Sequence, residues 1–231
     1  MSARYAIYFA PDNRSPWWNF GAHWLGRDEH DNAPLAQPLL PGLAPEMFEA
    51  ITAEPRRYGF HATLKAPFRL SADHQESDLV ARLNQLARTL VPAVMSPMRV
   101  CMLNNFVALL PQASLEPLDI IAAACVTELD DLRAPLLPAE LARRSLAKLD
   151  SREAELLACY GYPYVLDRFR LHMTLTGPVD SAIAGLVMDA VSPKVDALNQ
   201  LVLLQLDRLC LFVERSPGAA FHRLMDLRLH P

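Results

Sequence analysis

Two stretches of the chain alternate between apolar and polar residues in nearly the same way. The first is RYGFHATLKAP at residues 57–67, and the second is RFRLHMTLTGP at residues 168–178. Residues at i, i+2 and i+4 of a β-strand point to one face, so each stretch has a polar face and an apolar face. We therefore predict a strand near residues 57–70 and another near residues 168–179. Each would place its apolar face in the core and its polar face toward water or a cleft.

The remaining pattern predicts helices that alternate with strands. Apolar residues recur at helical spacing in residues 77–90 and 115–132, and Asp150 with Glu153 forms a capping-box pair for a helix that runs to Tyr160. We also predict helices at residues 15–24, 139–149 and 181–191, strands at residues 4–10, 98–110, 201–214 and 221–229, and a loop at residues 28–42. One motif strand falls in each half of this order, which suggests a diverged duplication. Because duplicated units tend to pack about a pseudo-two-fold axis, we expect the motif strands to face each other across a cleft.

The composition is that of an ordinary globular protein. The chain has 231 residues, of which 52% are hydrophobic and 21% are charged. This length is enough for one large domain or for two small lobes that share a core, and we predict a single domain over residues 1–231. The formal net charge is -4, without the basic surplus that binding to a long nucleic acid requires. A small phosphorylated metabolite needs only a local pocket of donors, so it remains compatible with this charge.

The cysteines and the hydropathy pattern narrow the class of protein further. Cys101, Cys125, Cys159 and Cys210 lie far apart and form no C-x-x-C pair, so we expect isolated thiols and no metal site built on them. The N-terminal segment lacks the length and the cleavage site of a signal peptide. No apolar run approaches the roughly 20 residues that span a bilayer. These features predict a cytoplasmic protein without a membrane partner.

The polar faces of the two predicted strands carry matching chemistry. One face presents His61, Thr63 and Lys65, and the other presents Arg170, His172 and Thr174. If these faces meet, hydroxyls and cations can hold the oxygens of a phosphate ester. One neutral histidine can then accept a proton from water while the other, protonated, donates to the leaving oxygen. This chemistry needs no metal ion and no cofactor.

A single H-x-T sequence on a strand is most often structural. Two copies that share a flanking arginine and proline are hard to attribute to chance, and a purely structural duplication does not explain why the polar residues are the ones retained. The functional interpretation is therefore favoured.

The paired HATL and HMTL sequences resemble the H-x-T/S-hydrophobic motifs of the 2H phosphoesterase superfamily, which includes 2′-5′ RNA ligase-like proteins and cyclic phosphodiesterases. Five segments look like the phosphonate-operon-associated DUF1045 family: RYAIYFAP, HWLGRDE, RYGFHATLKAPFRL, FRLHMTLTGPV and FVERSPGAAFHRL. This likeness extends over nearly the whole chain. The resemblance implies a bilobal α+β fold in which two antiparallel sheets, with helices outside, face a central cleft. It also implies metal-independent attack at a cyclic or 2′-linked phosphate, with His61, Thr63, His172 and Thr174 in the four motif positions. The genomic association of the family implies a substrate from phosphonate breakdown, such as a ribose cyclic phosphate.

Four more residues are candidates for substrate binding. Lys65 shares a predicted face with His61 and would hold a phosphate or a second anion, unless it is simply a surface lysine at the strand end. Arg57 and Arg168 precede the histidines by four residues and would lie at the rim of the cleft. Tyr8 would line the cleft or pack as an edge tyrosine.

Three functions compete at this point. The first is a metal-independent cyclic phosphodiesterase for a small sugar or nucleotide phosphate, the second an RNA-end enzyme for 2′,3′-cyclic or 2′-5′ linkages, and the third a non-catalytic protein that binds a phosphorylated metabolite. The sequence contains no G-x-x-x-x-G-K-S/T, H-E-x-x-H or G-x-S-x-G motif, so it offers no support for a P-loop, zinc-protease or serine-hydrolase function. The sequence leaves open the exact substrate, the oligomeric state and which histidine is the acid.

Overall fold

A computed structural model describes residues 3–113, 115–145 and 148–230. Its helices are α1 (Pro16–Leu25), α2 (Pro45–Arg56), α3 (Glu76–Ala87), α4 (Glu116–Thr127), α5 (Pro138–Ser145), α6 (Ser151–Tyr160) and α7 (Ser181–Leu201), with a 3₁₀ helix at Leu166–Arg168. Its strands are β1 (Arg4–Phe9), β2 (Ala62–Phe68), β3 (Ala93–Val94), β4 (Met98–Leu103), β5 (Phe106–Pro111), β6 (Met173–Thr174), β7 (Gln205–Leu206), β8 (Arg208–Glu214) and β9 (His222–Arg228). The predicted α+β class is confirmed.

Seven of these strands form one antiparallel sheet in the order β4-β5-β6-β2-β1-β8-β9, and β3 pairs with β7 in a small second sheet. The sequence had instead led us to expect two sheets that face each other across a cleft. The difference arises at the motif strands, because β2 and β6 pair directly through Ala62 and Met173. This short pairing joins the two halves of the molecule into one sheet.

The order of elements repeats along the chain. The first half runs β1, two helices, β2, α3, β3 and β4, and the second runs β5, helices, β6, α7, β7 and β8. The last strand of each half pairs with the first strand of the other, since β4 pairs with β5 and β8 pairs with β1. This exchange, and the pairing of β3 with β7, agree with the duplication that the sequence suggests.

Local sequence accounts for the ends of several helices. The Ser15 hydroxyl accepts a hydrogen bond from the Trp18 backbone N–H at 3.0 Å, and α1 ends at Gly26 with a left-handed φ of 76°. The predicted capping box of Asp150 and Glu153 is present at the start of α6. The predicted strand at residues 98–110 is instead a hairpin, because the chain turns at Asn104, whose φ is 55°.

Several predicted boundaries were wrong. Residues 45–56 form α2, for which we predicted no element, and α7 continues through Pro193 to Leu201. The first motif strand begins at Ala62, because the preceding residues end α2 and turn. The second motif strand contains only Met173–Thr174. Residues 146–147 of the helix predicted at residues 139–149 lie outside the described part of the chain.

The main core lies between the helices and one face of the sheet. It contains Ile7, Leu64, Met173 and Leu211, which are fully or almost fully buried. The opposite face of β1 and β8 carries a smaller cluster with Tyr8, Cys210, Phe212 and Phe221 at its centre. The polar side of the motif strands lies on this second face. Among the described helices, none has the length and apolarity needed to cross a bilayer.

Candidate active site

The His61 imidazole is held by the backbone just before β2. Its Nδ1 lies 2.8 Å from the carbonyl oxygen of Gly59, and because a carbonyl only accepts, Nδ1 must carry the proton. In the neutral ring, Nε2 is therefore the basic nitrogen, and it lies 3.2 Å from the Thr63 hydroxyl, which donates to it. Gly59 has a φ of +83°, a conformation that favours glycine, and this turn aims its carbonyl at the ring.

An aromatic ring covers one side of His61. The Tyr8 ring stacks on the imidazole with a centroid distance of 3.8 Å and an interplanar angle of 25°. Burial lowers the pKa of His61 to about 4; the Gly59 hydrogen bond opposes this shift, and the charges of His172 and Arg27 add to it. Burial also raises the pKa of Tyr8 well above its ordinary value, so its phenol remains neutral. The His61 imidazole is therefore neutral at physiological pH.

The His172 imidazole repeats the backbone contact of His61 in a different setting. Its Nδ1 donates to the carbonyl oxygen of Arg170 at 2.8 Å, so Nε2 is again the nitrogen presented outward. The Phe106 ring lies at a centroid distance of 5.9 Å from the imidazole, tilted by 47°. Burial lowers the pKa of His172; the Arg170 carbonyl opposes the shift, and the Arg170 charge adds to it.

The pairing of β2 with β6 brings the two motifs together. Ala62 pairs with Met173, and both side chains are fully buried on the core face. Extending this antiparallel register by one residue places His61 opposite Thr174 and Thr63 opposite His172. Residues directly opposite in such a pair have Cβ atoms about 4.5–5.5 Å apart. Each histidine therefore lies beside the threonine of the other motif, and all four side chains share the face that points away from the core.

Two adjoining cavities open over these four residues. The first, of about 410 Å³, is lined by His61, Thr63 and Thr174 with Tyr8 and Tyr58. The second, of about 610 Å³, is lined by His172 and by a group of charged residues, Lys148, Asp150, Glu153, Asp167, Arg168 and Arg170. Both share a common border, formed by Thr63, Ala66, Phe106 and Tyr162. Thr63 lines both cavities and so connects the His61 side of the site with the His172 side.

Lys65 does not lie beside the histidines, as its position in the motif had suggested. Its ammonium group donates to the Val126 carbonyl at 3.0 Å and to the Asp130 carboxylate at 3.2 Å, and the residue is only 3% exposed. The register between β1 and β2 shifts at this point, because Ile7 pairs with Lys65 while Tyr5 pairs with Phe68. This irregularity turns Lys65 toward α4, so the prediction that it shares the face of His61 is wrong.

The other predicted binding residues differ in their positions. Arg57 caps α2, forms an ion pair with Glu214 and donates to the Ala219 carbonyl at 3.0 Å, so its guanidinium secures the β8–β9 hairpin instead of lining either cavity. Arg168 lines the second cavity, where it pairs with Asp150 at 2.8 Å. Tyr8 lines the first cavity against His61.

Sequence reasoning missed the residues that support the Gly59 turn. The buried guanidinium of Arg27 donates to the carbonyl oxygens of Arg56 at 2.8 Å, of Arg57 at 3.1 Å and of Phe221 at 3.0 Å. It therefore fixes the end of α2, from which the chain turns into His61. Arg27 lies in the HWLGRDE segment, but nothing in its local pattern indicated this position.

A group of residues that could hold a metal ion lies apart from the two histidines. In the described part of the chain this group is Asp28, Glu29 and His30. Glu29 is fully buried, and its Oε1 accepts from Trp18 at 2.8 Å and from Arg223 at 3.1 Å. The Arg223 guanidinium offsets part of the charge of this carboxylate, while Oε2 of Glu29 is buried and has no hydrogen-bond partner among the described residues.

Comparisons with known proteins identify the family. The family model described as "Protein of unknown function (DUF1045)" matches residues 63–222, which include Thr63, His172 and Thr174. The chain belongs to the DUF1045 family. Two curated relatives of this DUF1045 protein are both named ribose 1,5-bisphosphate phosphokinase PhnN. The relative from Janthinobacterium sp. (strain Marseille) is 39% identical over 221 residues, and the one from Laribacter hongkongensis (strain HLHK9) is 38% identical over 226 residues.

The alignments cover nearly all of this chain but different shares of the proteins that it matches. Each alignment to the curated relatives includes 94% of this DUF1045 chain, but only 49% and 50% of the relatives. The chain therefore spans about half the length of the curated relatives it matches. Among solved structures, Kluyveromyces marxianus Usb1 matches with a TM-score of 0.41 and 11% identity over 96% of this chain and 98% of that one. The same protein with uridine monophosphate gives the same TM-score.

Proposed function

We propose that this DUF1045 protein is a metal-independent phosphodiesterase that opens the cyclic phosphate of a small sugar or nucleotide. One observation carries the proposal: β2 and β6 pair through Ala62 and Met173, and continuing this register past the starts of the strands places each histidine opposite the threonine of the other motif. Both imidazoles use Nδ1 to bind a backbone carbonyl. This arrangement directs two Nε2 atoms and two hydroxyls toward a single substrate, whose binding would replace the contact between the Thr63 hydroxyl and His61 Nε2. Such a set of donors and acceptors is the one that phosphodiester hydrolysis uses.

The chemistry balances with these four groups. A water oxygen attacks phosphorus while its proton passes to the Nε2 atom of one neutral histidine. The bond between phosphorus and one ring oxygen breaks, and that oxygen takes a proton from Nε2 of the other, protonated histidine. The threonine hydroxyls donate to the non-bridging oxygens, where negative charge increases in the transition state. The product is one phosphate monoester.

The surroundings of the histidines favour His61 as the base. Its pKa of about 4 keeps Nε2 unprotonated, and its stacking on Tyr8 excludes water from one side of the ring. His172 lies in the cavity that also contains Arg168 and Arg170. A bound phosphate would offset these positive charges and raise the pKa of His172, so the substrate itself would protonate the acid.

The names of the relatives support a ribose phosphate as the substrate. Both are named for ribose 1,5-bisphosphate, a compound that results when the cyclic phosphate of a ribose 5-phosphate opens at the appropriate oxygen. This would place the protein in phosphonate breakdown, as the family resemblance implies.

The phosphokinase in those names raises a second candidate function for this chain. Phosphokinase activity of a common type would require a phosphate-cradling loop, and the 231 residues contain no G-x-x-x-x-G-K-S/T sequence. We assign the kinase activity to the half of the relatives that this chain does not cover. Incubation of this chain with ribose 1,5-bisphosphate and ATP should leave both compounds unchanged. Formation of ADP would instead show that this chain itself has phosphokinase activity.

Phosphorus NMR of the EDTA-treated protein tests the main proposal. The substrates are ribose 1,2-cyclic phosphate, with and without a 5-phosphate, 2′,3′-cyclic nucleotides and a 2′-5′-linked dinucleotide, each compared with the double variant His61→Ala/His172→Ala. We expect a cyclic sugar phosphate to be converted to one monoester by the wild type alone. Preference for the RNA-type substrates would make the protein an RNA-end enzyme. A shifted ligand signal without conversion would make it a binding protein, and activity lost with EDTA would require a metal.

A further inference from the structure

Positive charge is distributed unequally over the two cavities. The first cavity is lined by Arg4, whose guanidinium forms an ion pair with the buried Glu214. The second cavity is lined by Lys148, Arg168 and Arg170. The cations thus gather on the His172 side of the site, beyond the place where the scissile phosphate would bind.

Each acidic residue of the second cavity already has a partner, and for Asp150 that partner is Arg168, a cation of the same cavity. Asp150 pairs with Arg168, and Asp167 pairs with Arg152, both at 2.8 Å. The Glu153 carboxylate accepts the backbone N–H of Asp150 at 3.0 Å, as part of the α6 capping box.

Arg170 is the cation of this cavity best placed to bind a ligand. Its side chain is exposed and forms no hydrogen bond or ion pair with the residues that the structure describes, whereas its backbone carbonyl orients His172 at 2.8 Å. It lies two residues before His172 in the chain, and both residues line the second cavity. The corresponding residue of the first motif is Gly59, which has no side chain to offer.

We propose that Arg170, flanked by Lys148 and Arg168, binds a second phosphate group of the substrate, which is therefore a cyclic phosphate that also carries a phosphate monoester. A guanidinium suits this group, because its planar N–H donors bind two phosphate oxygens at once. The inference rests on the proposed function, and it agrees with the two phosphates of ribose 1,5-bisphosphate in the relatives' names.

The test compares two substrates on the same variants. One substrate is ribose 1,2-cyclic phosphate, and the other is the same compound with a 5-phosphate. For Arg170→Ala, we expect kcat/KM to fall about 10- to 100-fold on the phosphorylated substrate, as for loss of a charged hydrogen bond, and less than threefold on the other. Arg170→Lys should retain part of the preference for the phosphorylated substrate, because lysine keeps the positive charge but lacks the planar N–H donors of a guanidinium. Arg88→Ala, which removes an exposed arginine after α3, should change neither value.

An equal loss on both substrates would overturn the subsite, because Arg170 would then act only through its charge on His172. If the wild type hydrolyses neither compound, calorimetric titration with ribose 1,5-bisphosphate and ribose 1-phosphate decides the question. A preference for the bisphosphate that Arg170→Ala removes would support the subsite even though the proposed hydrolysis had failed. No preference would end the subsite proposal.

Discussion

The ring of His61 is more enclosed by its neighbours than the ring of His172. His61 stacks on Tyr8 at 3.8 Å and follows a glycine turn, whereas His172 lies 5.9 Å from Phe106 and follows an arginine. Both rings nevertheless donate Nδ1–H to the carbonyl two residues earlier, at the same 2.8 Å. The backbone contact thus fixes the same tautomer twice, while the Tyr8 ring covers His61 and the Arg170 and Arg168 side chains line the cavity beside His172.

The register explains part of this difference. Thr63 on β2 pairs with Tyr8 on β1, and Thr174 on β6 pairs with Ala108 on β5. The tyrosine that covers His61 therefore corresponds to an alanine in the second half, which is too small to cover His172. A symmetrical backbone with unequal neighbours suits a reaction in which one proton is accepted and another is donated.

Replacement of either histidine should have the largest effect. We expect His61→Ala and His172→Ala each to lower kcat by roughly two to four orders of magnitude, because each removes a general acid or base. Steady-state assays on the cyclic phosphate from the NMR panel measure this, with circular dichroism to verify folding. Full activity in either folded variant would mean that the two motifs do not act together.

The shared face of each histidine and its threonine could be predicted from sequence, because strand alternation depends only on spacing. His61 and Thr63, or His172 and Thr174, are two residues apart and share a face in any extended segment. Lys65 lies two residues further along, but the register shift between β1 and β2 breaks the alternation there. A local pattern cannot report such a shift, because it depends on the partner strand.

The fold, like the candidate site, could be predicted only in part from the sequence. The repeated order of elements follows from periodicity and from the doubled motif, and the α+β class was implied by the resemblance to the 2H phosphoesterases. In contrast, α2 escaped prediction because few apolar residues mark its buried side. Arg27 was missed for a different reason. Its contacts are to carbonyl oxygens of Arg56, Arg57 and Phe221, and backbone acceptors leave no trace in the sequence.

The threonines should give the next largest effect and a finer comparison of the halves. Thr63→Val and Thr174→Val keep the shape of the side chain but remove the hydroxyl, so we expect kcat/KM to fall about 10²-fold for each. The loss should be greater for Thr63, whose hydroxyl also contacts Nε2 of His61 at 3.2 Å. Thermal unfolding serves as the control, and a loss of activity that merely follows a loss of folding would argue against the proposed hydroxyl donors.

The Gly59→Ala substitution tests whether the enclosed position of His61 depends on the turn at Gly59. An added Cβ would lie 3.0 Å from Cβ of Glu29, at a backbone φ of +83°. We expect the free energy of unfolding to fall by about 1–3 kcal/mol, measured by urea denaturation. Gly218→Ala is the matched control, since its φ is +88° but an added Cβ would meet nothing within 4 Å. The activity of Gly59→Ala should also fall, because its carbonyl orients His61. Equal losses of stability in the two variants would show that contact with Glu29 is unimportant.

The smallest expected effect is a difference between the histidines in the pH dependence of stability. The pKa of His61 is about 4 in the folded protein, compared with about 6.5 in an unfolded chain. The unfolded state therefore binds more protons between these values, so the contribution of His61 to stability is complete above pH 6.5 and is lost as the pH falls toward 4. Urea denaturation of the wild type and of His61→Gln at several pH values isolates this contribution as the difference between the two curves. That difference should change across the window, and more strongly than the difference for His172→Gln, because the more enclosed ring resists protonation more. If the curves of the wild type and of His61→Gln run parallel, the His61 imidazole is as accessible to protons in the folded protein as in the unfolded chain. The difference in enclosure between His61 and His172 would then no longer hold.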